Sequence, residues 1–509
     1  MRFHHLSLLL ISAFRRTSYN LPMTSALPTT PIPPAAIDAL RRALSPDRVI
    51  SSPEDLIVFE YDGTIEKGQP QVVVFPDTAG EVAAAVRIAR QYDLPVVPRG
   101  AGTGLSGGAV AAVGGVLIAM TRMKHILEVD IENRTALVEP GVVNLHLSQA
   151  VAKHGLYYAP DPSSQRACTI GGNVAENAGG PHCLAYGVTT NHVLGLEIVL
   201  ADGQIVWLGG AARDLPGYDL TGAVVGSEGT LCIVTKALVR LLRLPESTRT
   251  LLAIFDSIED ATAAVSAVIA GGLVPAALEM LDNVTIRAVE PALHVGYPED
   301  AGAVLLIEVE GLAEAAAEDA AKARAICGEN GAREVREAVT PADRERLWAG
   351  RKGAISALGQ LAPNYYILDG VVPRTKLPEA MRAVVEVGAR YGFDIANVFH
   401  AGDGNLHPCI LFDERRPGET ARVLDAGEEI MRVCVDVGGS VTGEHGIGLE
   451  KRDFMPWIFS EADLATMAKL KTAFGAGEHF NPCKAFPTSK GCGEVHSKVA
   501  QAFGPDAYV

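Results

Sequence analysis

The chain has 509 residues, a formal net charge of −16, and 48% hydrophobic residues with 52 glycines but few aromatic residues. This length predicts two to four domains with buried cores. The acidic charge argues against nucleic acid or an anionic membrane as the main partner. The eight cysteines form no C-x-x-C pair, so the sequence predicts neither a disulfide framework nor an iron–sulfur cluster, and it favours a reducing, cytoplasmic compartment.

The N-terminal segment, residues 1–35, leaves two alternatives open. Its apolar run Leu6–Phe14 is far shorter than the ~20 residues that span a bilayer. No acidic residue precedes Asp38, which resembles a transit or signal segment, but Arg15 and Arg16 stand where a secretory cleavage site needs small residues. We therefore expect either a disordered or mis-assigned extension or, in residues 1–22, an organelle-targeting segment.

A first domain is predicted over residues 36–245, opening with a helix and short strands. The hydrophobic patterns predict helices over 36–43 and 78–92, strands over 71–75, 94–97 and 115–120, and a hairpin over 198–207. Thr78 and Glu81 have the spacing of a capping box at the start of the second helix. Asp202 and Gly203 supply a tight turn for the hairpin.

A second domain is predicted over residues 246–455, followed by a C-terminal segment over 456–509 that returns to the first domain. The second domain reads strand (251–255), helix (259–269), strand (275–281), strand (304–309) and helix (313–330). This order predicts an α+β sheet with helices on one face. In the C-terminal segment, Ser460 and Asp463 indicate a capped helix over 460–473.

The segment Gly100–Ala109 (GAGTGLSGGA) is a candidate phosphate-binding loop. It contains G-x-G-x-x-G at Gly102, Gly104 and Gly107. A dinucleotide fold would continue into a helix, but here another strand follows, which argues against that fold. Successive amides of such a loop can still form an anion nest without a helix, and a plain glycine loop stays the alternative.

Two further glycine-rich segments favour the phosphate-binding interpretation over a plain glycine loop. Residues 160–180 have little periodicity but many small and hydrogen-bonding side chains, and residues 226–235 join a tight turn to a strand. Long irregular segments in compact proteins usually have a function such as enclosing a ligand. Three such segments within ~130 residues predict one large cofactor threaded among them.

Two turns carry candidate metal ligands. The segment His400–His407 (HAGDGNLH) has a Gly-Asp-Gly turn, which places its two histidines on facing arms of a hairpin. The segment Gly443–Gly448 (GEHGIG) adds Glu444 and His445. Two imidazoles plus one carboxylate are a common catalytic metal set, whereas the alternative is two satisfied histidines beside a hairpin and a solvated Glu-His turn.

These motifs together resemble a known family. Gly100–Ala109, Ile170–Gly180 (IGGNVAENAGG) and Glu228–Leu231 (EGTL) resemble the flavin-binding domain of the vanillyl-alcohol oxidase type. The two histidine turns resemble its FAD-linked 2-hydroxyacid dehydrogenase branch, and the segments Trp348–Gly353 (WAGRKG) and Tyr365–Arg374 (YYILDGVVPR) resemble most the flavin subunits of glycolate oxidases. The resemblance covers residues 50–490 and departs from the family's usual glycine at Ala101, Cys232 and Cys483.

The resemblance implies an α+β protein with a two-part FAD-binding domain and an α+β, ferredoxin-like substrate or cap domain that carries the metal site. FAD would be bound non-covalently. The residues expected to hold it are Arg99, Gly100, Ala101, Gly102, Thr103, Gly104, Ser106, Gly107, Pro160, Ser164, Thr169, Gly172, Asn173, Asn177, Gly180, Glu228, Gly229 and Ile233.

The resemblance also implies the catalytic groups. Residues matching His400, His407 and Glu444 would hold a divalent ion, zinc or manganese, that lowers the pKa of the substrate hydroxyl. His445 would take the proton as general base, with a ligand role as its alternative. Arg351 would bind the substrate carboxylate with a two-point contact, its alternative being an exposed helical charge, and the α-hydrogen would pass as hydride to FAD.

The expected substrate is a small 2-hydroxy acid, glycolate first and D-lactate next, because no second cation appears in residues 365–368 beside Asp369; Arg374 is the second candidate for the carboxylate. Electrons would pass to companion flavin-type and iron–sulfur subunits that lead to the quinone pool, with at most peripheral membrane association. Two rival classes stay open: a non-catalytic flavin-binding subunit and a metal hydrolase. D-2-hydroxyglutarate dehydrogenase is a further alternative within the family.

Overall fold

A computed structural model describes residues 31–212, 216–477 and 479–487. The N-terminal residues 1–30, on which most of the predicted extension falls, lie outside the described residues. The first helix, Pro34–Leu44, begins within the last two residues of that predicted extension, so residues 34 and 35 are helical and not disordered. It buries Leu40 and Leu44.

The first part of the chain forms a four-stranded sheet with helices packed against it. Its strands, in spatial order, are Val49–Ile50, Val72–Val74, Val116–Ala119 and Val96–Arg99. The last three are mutually parallel. The helix Ala79–Gln91 begins as predicted, since the Thr78 side chain accepts a hydrogen bond from the Glu81 amide. The second half of the predicted capping box is not formed, because the Glu81 side chain accepts from the Asp77 amide and not from the Thr78 amide. The helix buries Val82, Ala85 and Val86 in the core.

The second part is a five-stranded antiparallel sheet. Its strands in spatial order are Ile126–Asp130, Thr135–Val138, Ile233–Arg240, Val193–Val199 and Ile205–Gly209. The last two strands form the predicted hairpin, with Gly203 at φ +79° in the turn. Shorter elements surround this sheet: the helices Asn144–Val151, Ile170–Glu176, Cys183–Tyr186 and Leu220–Val224, and the strand pair Leu156–Tyr157 with Leu242–Arg243.

The third part is a nine-stranded sheet that carries the turn His400–His407 and lies next to the turn Gly443–Gly448. Seven strands follow one another in space: Ala332–Glu337, Ser247–Phe255, Ala303–Gly311, Ala277–Asp282, Ile395–His400, Asn405–Leu406 and Gly370–Val371. The strands Pro408–Phe412 and Asn364–Ile367 continue it beside Ile395–His400. Its helices are Ile258–Ala270, Asn283–Leu293, Ala313–Glu329, Pro341–Ala357, Leu377–Tyr391 and Glu419–Asp436.

The expectation that helices cover one face of this sheet is wrong. In the strand Ser247–Phe255, Leu251 and Phe255 belong to one buried cluster, whereas Leu252 and Ile254 belong to another. Successive strand residues point to opposite faces, so both faces are covered. The uninterrupted apolar run Leu251–Phe255 carried that signal, because a strand that is half solvated alternates apolar and polar residues.

The C-terminal residues return to the first sheet. The helix Glu461–Ala473 begins at Ser460 with the predicted capping box to Asp463. Beyond it, the Val96 amide donates to the His479 carbonyl, and the Asn481 amide donates to the Val96 carbonyl. Within the described ranges, no helix combines the length and apolarity needed to cross a bilayer.

A buried ionic cluster joins the second sheet region to the third. His182 Nδ1 lies 2.9 Å from Asp161, its Nε2 lies 3.5 Å from Glu308, and its ring stacks on Trp348. Arg344 also pairs with Glu308 at 2.7 Å. Burial alone would lower the pKa of His182, but the Asp161 and Glu308 carboxylates outweigh it and raise that pKa to about 10.

We expect this cluster to make stability depend on alkaline pH. A histidine whose pKa is raised on folding stabilises the fold fully below its ordinary pKa of about 6.5 and loses that contribution as pH rises towards about 10. The wild-type melting temperature should therefore fall between pH 6 and pH 10 by an amount equivalent to a few kcal/mol. His182→Gln should be less stable at pH 6 and should lose less over the same interval. Parallel pH profiles would contradict this.

Candidate active site

The three glycine-rich segments meet around one cavity, which continues to the two histidine turns. Thirteen of the residues predicted to bind a cofactor line its wall: Arg99, Gly100, Ala101, Gly102, Thr103, Gly104, Ser164, Thr169, Gly172, Asn173, Glu228, Gly229 and Ile233. The same wall contains Arg351, His407, Glu444 and His445. One cavity therefore connects the predicted cofactor segments with the predicted catalytic groups.

Five predicted cofactor residues lie behind this wall and support it instead. The Ser106 carbonyl accepts from the Leu449 amide, and the Pro160 carbonyl accepts from the Asn144 side chain. Asn177 ends a helix at φ +53° and binds the Thr190 amide. The remaining two, Gly107 and Gly180, pack against Leu449 and the Asp161 carbonyl respectively.

The glycine loop has no side-chain room at its first position. A Cβ on Gly100 would lie 2.4 Å from Thr169 Oγ1, at the start of the helix Ile170–Glu176. A contact this short excludes any side chain, so the backbone itself forms the cavity wall there. The irregular loop is followed by the strand Val116–Ala119, not by a helix, as its sequence indicates.

The predicted hairpin brings His400 and His407 together. His400 ends the strand Ile395–His400 and pairs with Asn405 across the turn. The two imidazole rings lie 5.1 Å apart at 89°. Their Nε2 atoms lie 3.1 and 3.2 Å from Glu444 Oε1. One nitrogen from each histidine and one carboxylate oxygen thus lie within 4.8 Å of one another.

Two buried carboxylates that the sequence did not identify as site residues lie beside these histidines. Glu279 lies 2.9 Å from His400 Nδ1, and a carboxylate on the second imidazole nitrogen is the usual support of a metal-binding histidine. Asp369 lies 3.8 Å from His407 Nδ1, which is too far for a hydrogen bond, and this nitrogen has no hydrogen-bond partner among the described residues. Glu279 carried a signal in the sequence, because it is the one acidic residue before the final position of the apolar strand Ala277–Asp282.

Two of the three buried carboxylates in this cluster have a fixed cation. Glu279 is paired with Arg351 at 2.6 Å, and Asp369 with Lys451 at 3.0 Å. The side-chain partners that the described residues give Glu444 are the two histidines alone. Burial opposes it, but Glu279 and Glu444 raise the pKa of His400 well above its ordinary value, which favours a positive charge beside Glu444. The two imidazoles and one carboxylate are a donor set that fits a divalent cation in that place.

His445 lies beside this cluster with its ring stacked on His407, 4.8 Å away. Its Nδ1 is buried and has no hydrogen-bond partner among the described residues. Burial lowers the pKa of His445 to about 4, so the imidazole is neutral near pH 7 and can accept a proton. Asp369, His407 and His445 also form a second group with donor atoms within 4.8 Å, which keeps the ligand alternative open.

Arg351 is buried, with 3% of its surface exposed, and it lines the cavity from the helix Pro341–Ala357. One turn earlier, Trp348 packs into the core and donates its indole hydrogen to Glu308. The second candidate, Arg374, is exposed and binds the Gly402 carbonyl outside this cavity. Lys352, by contrast, is an exposed cation on the cavity wall.

Comparison with known proteins gives matches over nearly the whole chain. Residues 70–209 match the family described as "FAD binding domain", and residues 244–485 match "FAD linked oxidases, C-terminal domain". The chain is 47% identical to the glycolate oxidase subunit GlcD of Escherichia coli K12, over 90% of this chain and 92% of that protein. It is 37% identical to the D-lactate dehydrogenase of Archaeoglobus fulgidus, over 81% and 90% respectively.

The fold is also similar to solved structures at low sequence identity. The 4-ethylphenol oxidase from Gulosibacter chungangensis superimposes with a TM-score of 0.75 at 18% identity, covering 91% of this chain and 99% of that one. At this identity the likeness concerns the fold alone.

Proposed function

Because this chain belongs to the FAD-linked oxidases, in the branch whose members oxidise small 2-hydroxy acids, we propose that its own substrate is glycolate, with D-lactate next. The predicted family, the two-domain FAD-binding fold and the FAD cofactor are confirmed by the same matches. One observation supports glycolate as the substrate. Arg351, His445 and the His400–His407–Glu444 cluster lie together beside the cofactor cavity.

Each side chain has a role that its position supports. Arg351 binds the substrate carboxylate with the guanidinium nitrogens that Glu279 leaves available. His445, neutral and buried, takes the hydroxyl proton. His400, His407 and Glu444 would hold a zinc or manganese ion, which when bound supplies a Lewis acid for the substrate hydroxyl. FAD supplies the acceptor for the α-hydrogen.

The largely apolar side chains that line the cavity together with Arg351 favour a small substrate. They are Ile355, Tyr365, Ile367 and Val398. A second carboxylate on the substrate would need a buried partner among these side chains, and they offer none of positive charge. Lys352 lines the same cavity but is exposed to solvent, so it is not such a buried partner. The expected substrate is therefore a monocarboxylate.

Electron transfer from the reduced flavin requires another protein in this proposal. The Escherichia coli relative is named as a subunit of glycolate oxidase. No C-x-x-C pair occurs in the sequence, so this chain lacks a typical iron–sulfur motif. We infer companion flavin-type and iron–sulfur subunits, placed at the cytoplasmic face of a membrane and passing electrons to quinone.

A panel of 2-hydroxy acids tests the substrate. The purified protein is mixed anaerobically with glycolate, D-lactate, L-lactate or D-2-hydroxyglutarate, and bleaching of the flavin absorbance is followed before an artificial electron acceptor is added. Glycolate should bleach the flavin fastest and D-lactate next. Faster bleaching by D-2-hydroxyglutarate would overturn the size argument, and no bleaching by any of the acids would favour a non-catalytic flavin subunit.

We expect the protein to contain one FAD per chain and to release it on denaturation. Two cysteines line the cavity, but burial raises the pKa of Cys168 to about 11 and that of Cys232 to about 12. Since the thiolate is the reactive form, neither is suited to attach the flavin covalently. Acid precipitation followed by absorbance of the supernatant measures this, and yellow colour retained in the pellet would contradict it.

A further inference from the structure

The catalytic turn, Thr442–Gly448, is held from two different domains. Its first half is bound by Asp369, beside the short strand Gly370–Val371 of the nine-stranded sheet. One oxygen of Asp369 accepts from the Thr442 hydroxyl at 2.6 Å and from the amides of Gly443 and His445 at 3.0 Å. Lys451 neutralises the same carboxylate.

The second half of the turn is bound by Glu228 from the FAD-binding domain. Its two carboxylate oxygens accept separately from the Ile447 amide and the Gly448 amide, both at 2.7 Å. Glu228 is 5% exposed and adopts φ +53°. Bonds between a carboxylate and backbone amides are charge-assisted and short, which makes them stronger than neutral ones.

Glu228 is in turn fixed by the segments that enclose the cofactor cavity. Its amide donates to the Ala175 carbonyl in the helix Ile170–Glu176. Its carbonyl accepts from the Asn481 side chain, which also donates to the Gly108 carbonyl in the glycine loop. Glu228 thus connects the turn that carries Glu444 and His445 with the helix Ile170–Glu176 directly and with the glycine loop through Asn481.

The turn packs so closely against Glu228 and its neighbours that two of its glycines have no space for a side chain. A Cβ on Gly446 would lie 2.4 Å from Glu176 Oε2 and 3.1 Å from Glu228 Oε1, and one on Gly448 would lie 2.0 Å from the Ser106 carbonyl. Burial and the Glu228 carboxylate raise the pKa of the neighbouring Glu176 well above its ordinary value. Burial raises the pKa of Glu228 as well, and the Ile447 and Gly448 amides oppose that shift.

We propose that Glu228 is a positioning residue that fixes the catalytic turn from the flavin side, and so sets the placement of Glu444 and His445 relative to the cofactor. The family resemblance gave Glu228 a place among the cofactor-binding residues. Its carboxylate, however, is committed to the Ile447 and Gly448 amides, so its effect on the reaction passes through the turn. This inference rests on the proposed function, since it assigns Glu444 to a metal.

The test is Glu228→Gln in the FAD-loaded, full-length protein. The amide side chain retains one acceptor oxygen but turns an NH₂ donor towards the second backbone N–H. Loss of a supporting partner around a metal site commonly weakens metal binding about 10- to 100-fold, and we expect about 10-fold here for Mn²⁺ or Zn²⁺, measured by chelator competition. FAD should remain stoichiometric, and hydrogen exchange at the amides of residues 445–448 should accelerate.

Controls separate this inference from other failures. Glu197→Gln removes a carboxylate that is bound to Lys236 in the same domain but away from the turn. It should change neither the metal affinity nor the hydrogen exchange of the turn. Gly446→Ala disturbs the turn from its own side and should repeat the loss of metal affinity with FAD retained, which gives a second test if Glu228→Gln does not fold.

Loss of FAD with unchanged exchange in Glu228→Gln would make Glu228 a cofactor contact and overturn the proposal. A wild-type protein that binds no divalent ion would remove the metal proposal alone, because the exchange measurement would still decide the positioning role.

Discussion

Replacing His407 with alanine should lower turnover by more than about 100-fold while one FAD per chain stays bound. The estimate exceeds the ~10- to 100-fold cost of losing a supporting partner, because His407 Nε2 itself faces Glu444 Oε1 at 3.2 Å. His400→Ala should behave alike, since its Nε2 faces the same oxygen. Chelation of the wild-type protein should reproduce both results and should be reversed by added Zn²⁺ or Mn²⁺.

FAD should survive these changes because its predicted contacts lie elsewhere. The three glycine-rich segments are held by their own hydrogen bonds, such as those of Thr169 and Asn481. Neither involves His400 or His407. His146→Ala, an exposed histidine on the helix Asn144–Val151, is the matched control and should keep full activity. Full activity in wild-type protein shown to contain no divalent ion would exclude the metal role.

Local sequence patterns predicted the elements that position the site. The N-cap at Thr78, the capping box at Ser460 and the hairpin turn at Gly203 lie where the sequence placed them. The Gly-Asp-Gly turn likewise brought His400 and His407 together. Each of these features depends on residues within a few positions of one another, so the sequence contains the whole of the physical cause.

The sequence did not predict the contacts between distant segments. Glu279 pairs with Arg351 and with His400, although the three residues lie on two strands and a helix that are far apart in the chain. Asp369 meets Lys451, and Glu228 meets residues 447 and 448. A buried carboxylate is costly unless paired, which marks such residues as important. Which partner neutralises each one depends on the tertiary fold and cannot be read from spacing.

Arg351→Lys should lower kcat/KM for glycolate by roughly 10- to 150-fold, equivalent to about 1.5–3 kcal/mol. Lysine keeps the positive charge that Glu279 needs in this buried position. It loses the planar fork, so one ammonium cannot bind Glu279 and a substrate carboxylate together with the same geometry. Arg351→Ala is less informative, because it leaves the buried Glu279 with His400 as its one remaining partner, and loss of one partner from a buried ion pair itself destabilises the fold.

The division between KM and kcat shows when the contact acts. If Arg351 holds the carboxylate equally in the ground and transition states, the loss appears mainly in KM. If it also orients the α-hydrogen towards the flavin, kcat falls as well. FAD content and metal content should not change, since Arg351 binds Glu279 and lies 3.4 Å from His400 Nδ1, not from Nε2. Arg346→Lys, five residues earlier on the same helix and exposed, is the control.

An Arg351→Lys enzyme with wild-type kcat/KM on both glycolate and D-lactate would show that the carboxylate binds elsewhere. The sequence named Arg374 as the next candidate, but its guanidinium binds the Gly402 carbonyl outside the cavity. Lys352 lines the cavity on the same helix as Arg351, so Lys352→Met then becomes the decisive variant. A rise in KM there, with Arg351→Lys unchanged, would assign the carboxylate to Lys352 and leave Arg351 as the counter-ion of Glu279.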